Sequence, residues 1–145
     1  MAQGDLTLFE EFAVQMGTSE HVFGTDVIKV ALITTIPTAA DTTPTLSDYT
    51  EVVGTGYTAG GEEITNDTYV EAAGVATFNG DNITWSQNAL GPGTVKAALL
   101  YNDTHASDMA FAYVDMTADG STAISLINGD ISITWNGSGI FTTTV

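Results

Sequence analysis

Apolar and polar positions along this chain fall into short alternating runs divided by turn formers, a period of two that predicts strands rather than helices. The clearest case is residues 95–116. Val95-Lys96-Ala97-Ala98-Leu99-Leu100-Tyr101 and Met109-Ala110-Phe111-Ala112-Tyr113-Val114-Asp115-Met116 are apolar runs of strand length, separated by the polar knot Asn102-Asp103-Thr104-His105-Ala106-Ser107-Asp108. They predict a long-looped β-hairpin, and their near-lack of charge predicts a central position covered on both faces. In the second run, alternation puts Met109, Phe111 and Tyr113 on one face. Ala110 and Ala112 lie on the other, where a second layer can approach closely.

The same pattern predicts a strand over residues 26–35, with Ile28, Val30 and Leu32 on one face and Lys29 on the opposite one. Beyond Ile64, short strands follow one another around Val70, Val75 and Phe78, then Ile83-Thr84-Trp85, residues 123–127, and Ile131 to Trp135. Asn79-Gly80, Ala118-Asp119-Gly120 and Asn128-Gly129 are the turn signals between them. Ile131, Ile133 and Trp135 alternate with Asp130, Ser132 and Thr134, as a half-buried strand should. Asn79-Gly80-Asp81 before Ile83-Thr84-Trp85 is echoed by Asn128-Gly129-Asp130 before Ile133-Thr134-Trp135, an echo too short to define a repeated unit.

Helical spacing occurs once. Phe9, Phe12, Ala13 and Met16 fall on one helical face, Thr7 and Glu10 are spaced as a capping box, and Gly17 ends the pattern. A short N-terminal helix over about residues 7–16 is therefore expected, with a second, single helical turn near Leu46 capped by Ser47. Residues 37–44 form a Pro/Thr loop, and residues 52–61 are too rich in Gly for a regular element. The expected architecture is all-β: one β-sandwich or jelly-roll-like domain over residues 25–145, preceded by a helix and arm over residues 1–24.

Charge changes the picture most. Eighteen Asp and Glu face two lysines and no arginine, for a net charge of -16. A chain with so few cations has little with which to replace the counterions of a nucleic acid or to grip an anionic membrane, so neither is an expected partner. Acidity this strong serves solubility through self-repulsion, or docking onto a basic surface. There is no cysteine, hence no disulfide or thiolate metal site. The N-terminus lacks the basic and apolar regions of a signal peptide, and no run approaches the roughly 20 apolar residues of a membrane helix.

Candidate chemistry is sparse. Asp103, His105, Ser107 and Asp108 include triad residue types, but a working triad is assembled across a fold and not within six consecutive residues. Asp115, Thr117, Asp119 and Gly120 resemble the start of a calcium loop, yet Leu126 stands where the closing acidic ligand belongs. No enzyme activity, cofactor or metal is expected. The four Asn-x-Ser/Thr sequons, at Asn66, Asn82, Asn102 and Asn136, are accounted for by the abundance of Thr.

Several segments in order along the chain resemble small virion structural proteins of tailed bacteriophages. They are Asp26-Val27-Ile28-Lys29-Val30-Ala31-Leu32-Ile33-Thr34, Tyr49-Thr50-Glu51-Val52, Gly54-Thr55-Gly56-Tyr57-Thr58-Ala59-Gly60-Gly61, Ile83-Thr84-Trp85-Ser86, Ala98-Leu99-Leu100-Tyr101-Asn102-Asp103-Thr104 and Ala112-Tyr113-Val114-Asp115. The resemblance implies a component of the virion at the capsid surface: a decoration (cement) protein bound outside the major capsid protein shell. A tail or head-fibre adhesin that binds carbohydrate is the alternative. Such decoration proteins often sit on local three-fold axes, so the resemblance also implies a homotrimer, whose subunit contacts should be apolar and Thr-rich to avoid like charges. For the grip on the capsid, the N-terminal side chains Leu6, Leu8, Phe9 and Phe12 are the expected partner-binding residues.

Overall fold

A computed structural model describes residues 4–145, which form ten strands and one short helix. In chain order these are β1 (Leu6–Leu8), α1 (Phe12–Gly17), β2 (Ile28–Ile33), β3 (Glu62–Glu63), β4 (Thr68–Ala72), β5 (Val75–Asn79), β6 (Ile83–Trp85), β7 (Ala97–Asn102), β8 (Ala110–Asp115), β9 (Ile131–Ile133) and β10 (Phe141–Thr144), with a 3-10 turn at Leu46–Asp48 before β3. The predicted hairpin is β7–β8. It sits within a five-stranded sheet of order β1-β8-β7-β2-β3, and every one of its strand residues is buried. Two smaller sheets, β10-β5-β4 and β6-β9, complete the set, and all the strand pairs are antiparallel.

Ile28, Val30 and Leu32 of β2 share one face, as predicted. Together with Leu100, Phe111 and Val114 they meet Phe78, Phe141, Trp85, Ile131 and Ile133 from the two smaller sheets. The result is an all-β sandwich with its main core between the five-stranded sheet and the other two. The opposite face of the large sheet carries Ala31, Ile33, Ala97, Leu99, Ala110 and Tyr113, and loops supply Phe9, Ile36, Leu46 and Tyr49 to cover it. The alanines let this irregular cover lie close to the sheet.

Structure and pattern part company at four places. In β8 the expected alternation is reset by a bulge: Leu100 pairs with Ala112 and Tyr101 with Ala110, leaving Phe111 as the extra residue. Phe111 therefore joins Ala112 and Val114 in the main core, while Tyr113 faces the other way. Second, the helix does not span residues 7–16. Leu6–Leu8 is a strand, paired Leu6 to Val114 and Leu8 to Ala112, and the helix is confined to Phe12–Gly17. Beside it, β8 offers a row of unpaired backbone groups, and satisfying them outweighs one more turn of a short helix. The Thr7–Glu10 box does not form, since Thr7 pairs with Tyr113 within the ladder. The segment predicted as an arm thus contributes the first strand of the large sheet; residues 1–3 of it lie outside the described residues.

Third, Asn79-Gly80 does not turn a hairpin. It carries the chain from β5 to β6, which belong to different sheets, and a Cβ on Gly80 would lie 2.3 Å from Ile64 Cγ2. The tight hairpin turn is Ala73-Gly74 between β4 and β5, with φ of 53° and 83°. Fourth, the 3-10 turn is capped by Thr45 rather than Ser47, its backbone N–H donating to Asp48 Oδ2 at 2.8 Å.

The sequence echo has a structural counterpart. Its two copies pair with each other as β6 and β9, Ile83 opposite Ile133 and Trp85 opposite Ile131. Each copy also reaches across: Trp135 donates from its backbone to Asn82 Oδ1 and from its indole to the Asp81 carbonyl, and Gln87 donates its backbone N–H to Asp130 Oδ1. Trp85 is fully buried, while Trp135, on the apolar side of the predicted alternation, is only half-buried.

Candidate functional site: the two ends of the central hairpin

The expected partner-binding residues belong to the domain's own interior. Phe9 is 1% and Phe12 6% exposed, and Leu6 and Leu8 pack half-buried against the main core. Phe12 lies among Phe23, Phe111 and Phe141, with ring centroids 5.1–6.1 Å away. As folded, Phe9 and Phe12 are buried, while Leu6 and Leu8 keep part of their surface exposed.

The polar knot at one end of the β7–β8 hairpin is not a triad. Instead it closes a buried hydrogen-bond network centred on Asn102. The Asn102 amide nitrogen donates to Asp26 Oδ2 at 2.7 Å and the Glu20 carbonyl at 3.1 Å, and lies 3.3 Å from His21 Nδ1. Its oxygen accepts from the backbone N–H of Thr104 and His105. His21 Nε2 lies 3.0 Å from Gln15 Oε1, and Gln15 in turn donates to the Ala110 carbonyl. Gln15 Oε1 can only accept, so the ring carries its hydrogen on Nε2 and donates there. Burial, reinforced by nearby His105, pushes its pKa down to about 4. His105 Nε2 meets Glu20 Oε2 at 2.9 Å, a contact that holds the Glu20 carboxyl below its usual range. Lys29 pairs with Asp103 at 2.8 Å. This end fastens α1, the segment before β2 and the hairpin loop to one another.

The residues resembling a calcium loop make local turns. Asp115 Oδ1 accepts from the backbone and hydroxyl of Thr117, and Asp119 accepts from Ser121 and Thr122. These bonds hold the Asp119 carboxyl down to about 2. Among the described residues, no three His, Asp or Glu side chains are grouped to hold a metal ion. No described helix is long and apolar enough to cross a membrane.

At the other end of the hairpin lies a surface that sequence reasoning missed. Residues 52–61, 82–95 and 120–129 contain no charged residue at all, in a chain of net charge -16. The fold brings loops from all three runs together. Thr55 N–H donates to the Leu90 carbonyl at 2.9 Å, Asn88 N–H to the Leu126 carbonyl at 3.1 Å, and Leu126 N–H to the Pro92 carbonyl at 2.9 Å. Leu126 is fully buried beneath them. Gly54 packs so closely on the Gly91–Pro92 peptide that a Cβ would fall 2.4 Å from Pro92 N. Within these three runs Val53 is 89%, Leu90 75% and Ile127 43% exposed. A shallow concavity of about 450 Å³ opens on the first run, lined by Val52, Val53, Thr55, Tyr57 and Ala59. Of the flanking carboxylates, Glu51 is part-buried and accepts from the Tyr57 hydroxyl at 2.7 Å and Gly60 N–H at 2.8 Å, while Glu62, Asp81, Asp119 and Asp130 are exposed. The signal available in the sequence was the placement of charge, not its total.

A second concavity, about 310 Å³, lies between the start of β1 and the end of β9, lined by Asp5, Leu6, Thr134, Trp135, Asn136 and Ile140 among others. By fold and surface the chain is an all-β sandwich, acidic overall, with an uncharged loop platform. No protein-family model, curated protein or solved structure matches it.

Proposed function

We propose that this chain is a non-enzymatic structural protein of a phage virion, a capsid decoration protein that binds the outside of the major capsid protein shell and stabilises it. The observation that carries the reading is the distribution of charge on a rigid β-domain. Carboxylates such as the exposed Glu62–Glu63 pair of edge strand β3 present a negative surface suited to a basic partner, and they also protect that edge from pairing with another strand. The segment resemblance to phage virion proteins supplies the identity of that partner. Many copies on one lattice add avidity even where each contact is modest. Cosedimentation with shells of the major capsid protein tests the proposal. Saturable binding that weakens with salt and raises the shell's unfolding temperature is expected; absence of binding at low salt would overturn it.

The adhesin reading is favoured by one specific observation. Trp135 is half-buried and lines a cleft with Asp5 and Asn136, a combination suited to stacking on a sugar while bonding its hydroxyls. Glycan-array binding that is lost in Trp135→Ala would select this reading over capsid decoration.

A further inference from the structure

We infer that Asn128 is a covalent modification site, where the side-chain amide is converted to a carboxylate by spontaneous deamidation through the following glycine. The chain contains three Asn-Gly pairs, Asn79-Gly80, Asn128-Gly129 and Asn136-Gly137. A glycine in second place has no Cβ to obstruct attack of its backbone nitrogen on the amide carbon. The attack closes a five-membered imide, so the Asn side chain and the next peptide must be free to swing together. The fold grants that freedom unequally.

Asn79 is the last residue of β5 and pairs with Thr68 in the ladder. Gly80 behind it is wedged against Ile64, and Asp81 N–H donates to the Thr65 carbonyl at 2.9 Å, so the peptide between them is held on both sides. Asn136 is exposed, and a Cβ at Gly137 would meet no atom within 4 Å. Its amide is nevertheless tied, because Oδ1 accepts from Ser138 N–H at 2.9 Å and the backbone carbonyl accepts from Gly139 N–H at 2.9 Å. Asn128 has neither restraint. It is exposed and, among the described residues, neither its side chain nor Gly129 N–H has a hydrogen-bond partner. A Cβ at Gly129 would likewise meet no atom within 4 Å, which leaves room for the ring. The loop is anchored just before the reacting amide. Asn128 N–H donates to the Ser125 carbonyl at 3.2 Å, and Gln87 Nε2 to the Ile127 carbonyl at 2.8 Å.

Water is the only co-reactant. The Gly129 nitrogen loses its proton to a solvent base and bonds to Asn128 Cγ, and the amide nitrogen leaves as ammonia. Water then opens the imide, leaving aspartate, or isoaspartate in which the chain runs through the side-chain carbon. One water is consumed and one ammonia released, with no change in oxidation state. Each event adds one negative charge within residues 120–129, which otherwise carry none.

The test is incubation of the full folded chain at neutral and at mildly alkaline pH, followed by peptide-mapping mass spectrometry. Asn128 should convert fastest, sooner at the higher pH, and roughly tenfold or more ahead of Asn79, whose reaction waits for the strand to open. In urea, where the fold no longer distinguishes them, the three pairs should react at similar rates. Gly129→Ala should suppress conversion at Asn128 and leave the thermal unfolding midpoint essentially unchanged. Conversion led by Asn79 or Asn136, equal rates at all three pairs in the folded chain, or no conversion anywhere would overturn the inference. So would an undiminished rate at Asn128 in Gly129→Ala.

Discussion

The two ends of the β7–β8 hairpin hold irregular chain in place by opposite means. At the Asn102 end, buried polar side chains do it: Gln15, His21 and Asn102 bond to one another and to backbone carbonyls, with Asp26 and Glu20 at the margin. At the Leu126 end, the loops are joined by backbone hydrogen bonds, close glycine contacts and one buried leucine. A side-chain network depends on the protonation state of its members, and a backbone-and-glycine scaffold does not. The first end should therefore respond to pH and the second only to changes of shape.

The largest effect is expected from removing the hub of the uncharged end. Leu126→Ala should lower stability by about 2–5 kcal/mol, the same range as Leu99→Ala in the sheet, since both delete fully buried side chains. Chemical denaturation measures it, and a loss below about 1 kcal/mol would show loops that collapse onto the gap. Asn102→Ala comes next. It removes the side-chain bonds to Thr104 N–H, the Glu20 carbonyl and Asp26 Oδ2, while His105 N–H keeps the Asn102 backbone carbonyl and Asp26 keeps Val22 N–H, at about 1–3 kcal/mol.

Acidification is a gentler probe of the same end. The folded chain holds His21 near a pKa of about 4, against 6.5 ordinarily, so between those values the unfolded chain binds a proton that the folded one refuses. Stability is complete above pH 6.5 and declines as pH falls towards 4, by roughly 2–3 kcal/mol. His21→Gln, which keeps a donor and an acceptor, should flatten that slope; an unaltered slope would assign it to carboxylates. The smallest effect belongs to Leu90→Glu, which should change monomer stability by less than about 0.5 kcal/mol because the side chain is exposed.

The hairpin and β2 were legible because long apolar runs with few charges have few alternatives to a central strand. The bulge at Phe111 was not, since either register buries an apolar side chain and only the packed neighbours decide. Leu6-Thr7-Leu8 alternates like a strand, but Phe9, Phe12 and Met16 beyond it carry a helical period, and the unpaired edge of β8 settled a competition that no local pattern records. That pairing also draws Leu6, Leu8, Phe9 and Phe12 into the fold. Residues 52–61 were readable as irregular from their glycines. Their union with residues 88–92 and 125–127 depends on contacts distant in sequence, so the platform became visible only in three dimensions.

Cryo-electron microscopy of major capsid protein shells incubated with this chain tests the proposed role most directly. Density outside the shell is expected, with the exposed Glu62–Glu63 edge turned towards it. Shells that carry no added density at saturating concentrations of the chain would contradict it.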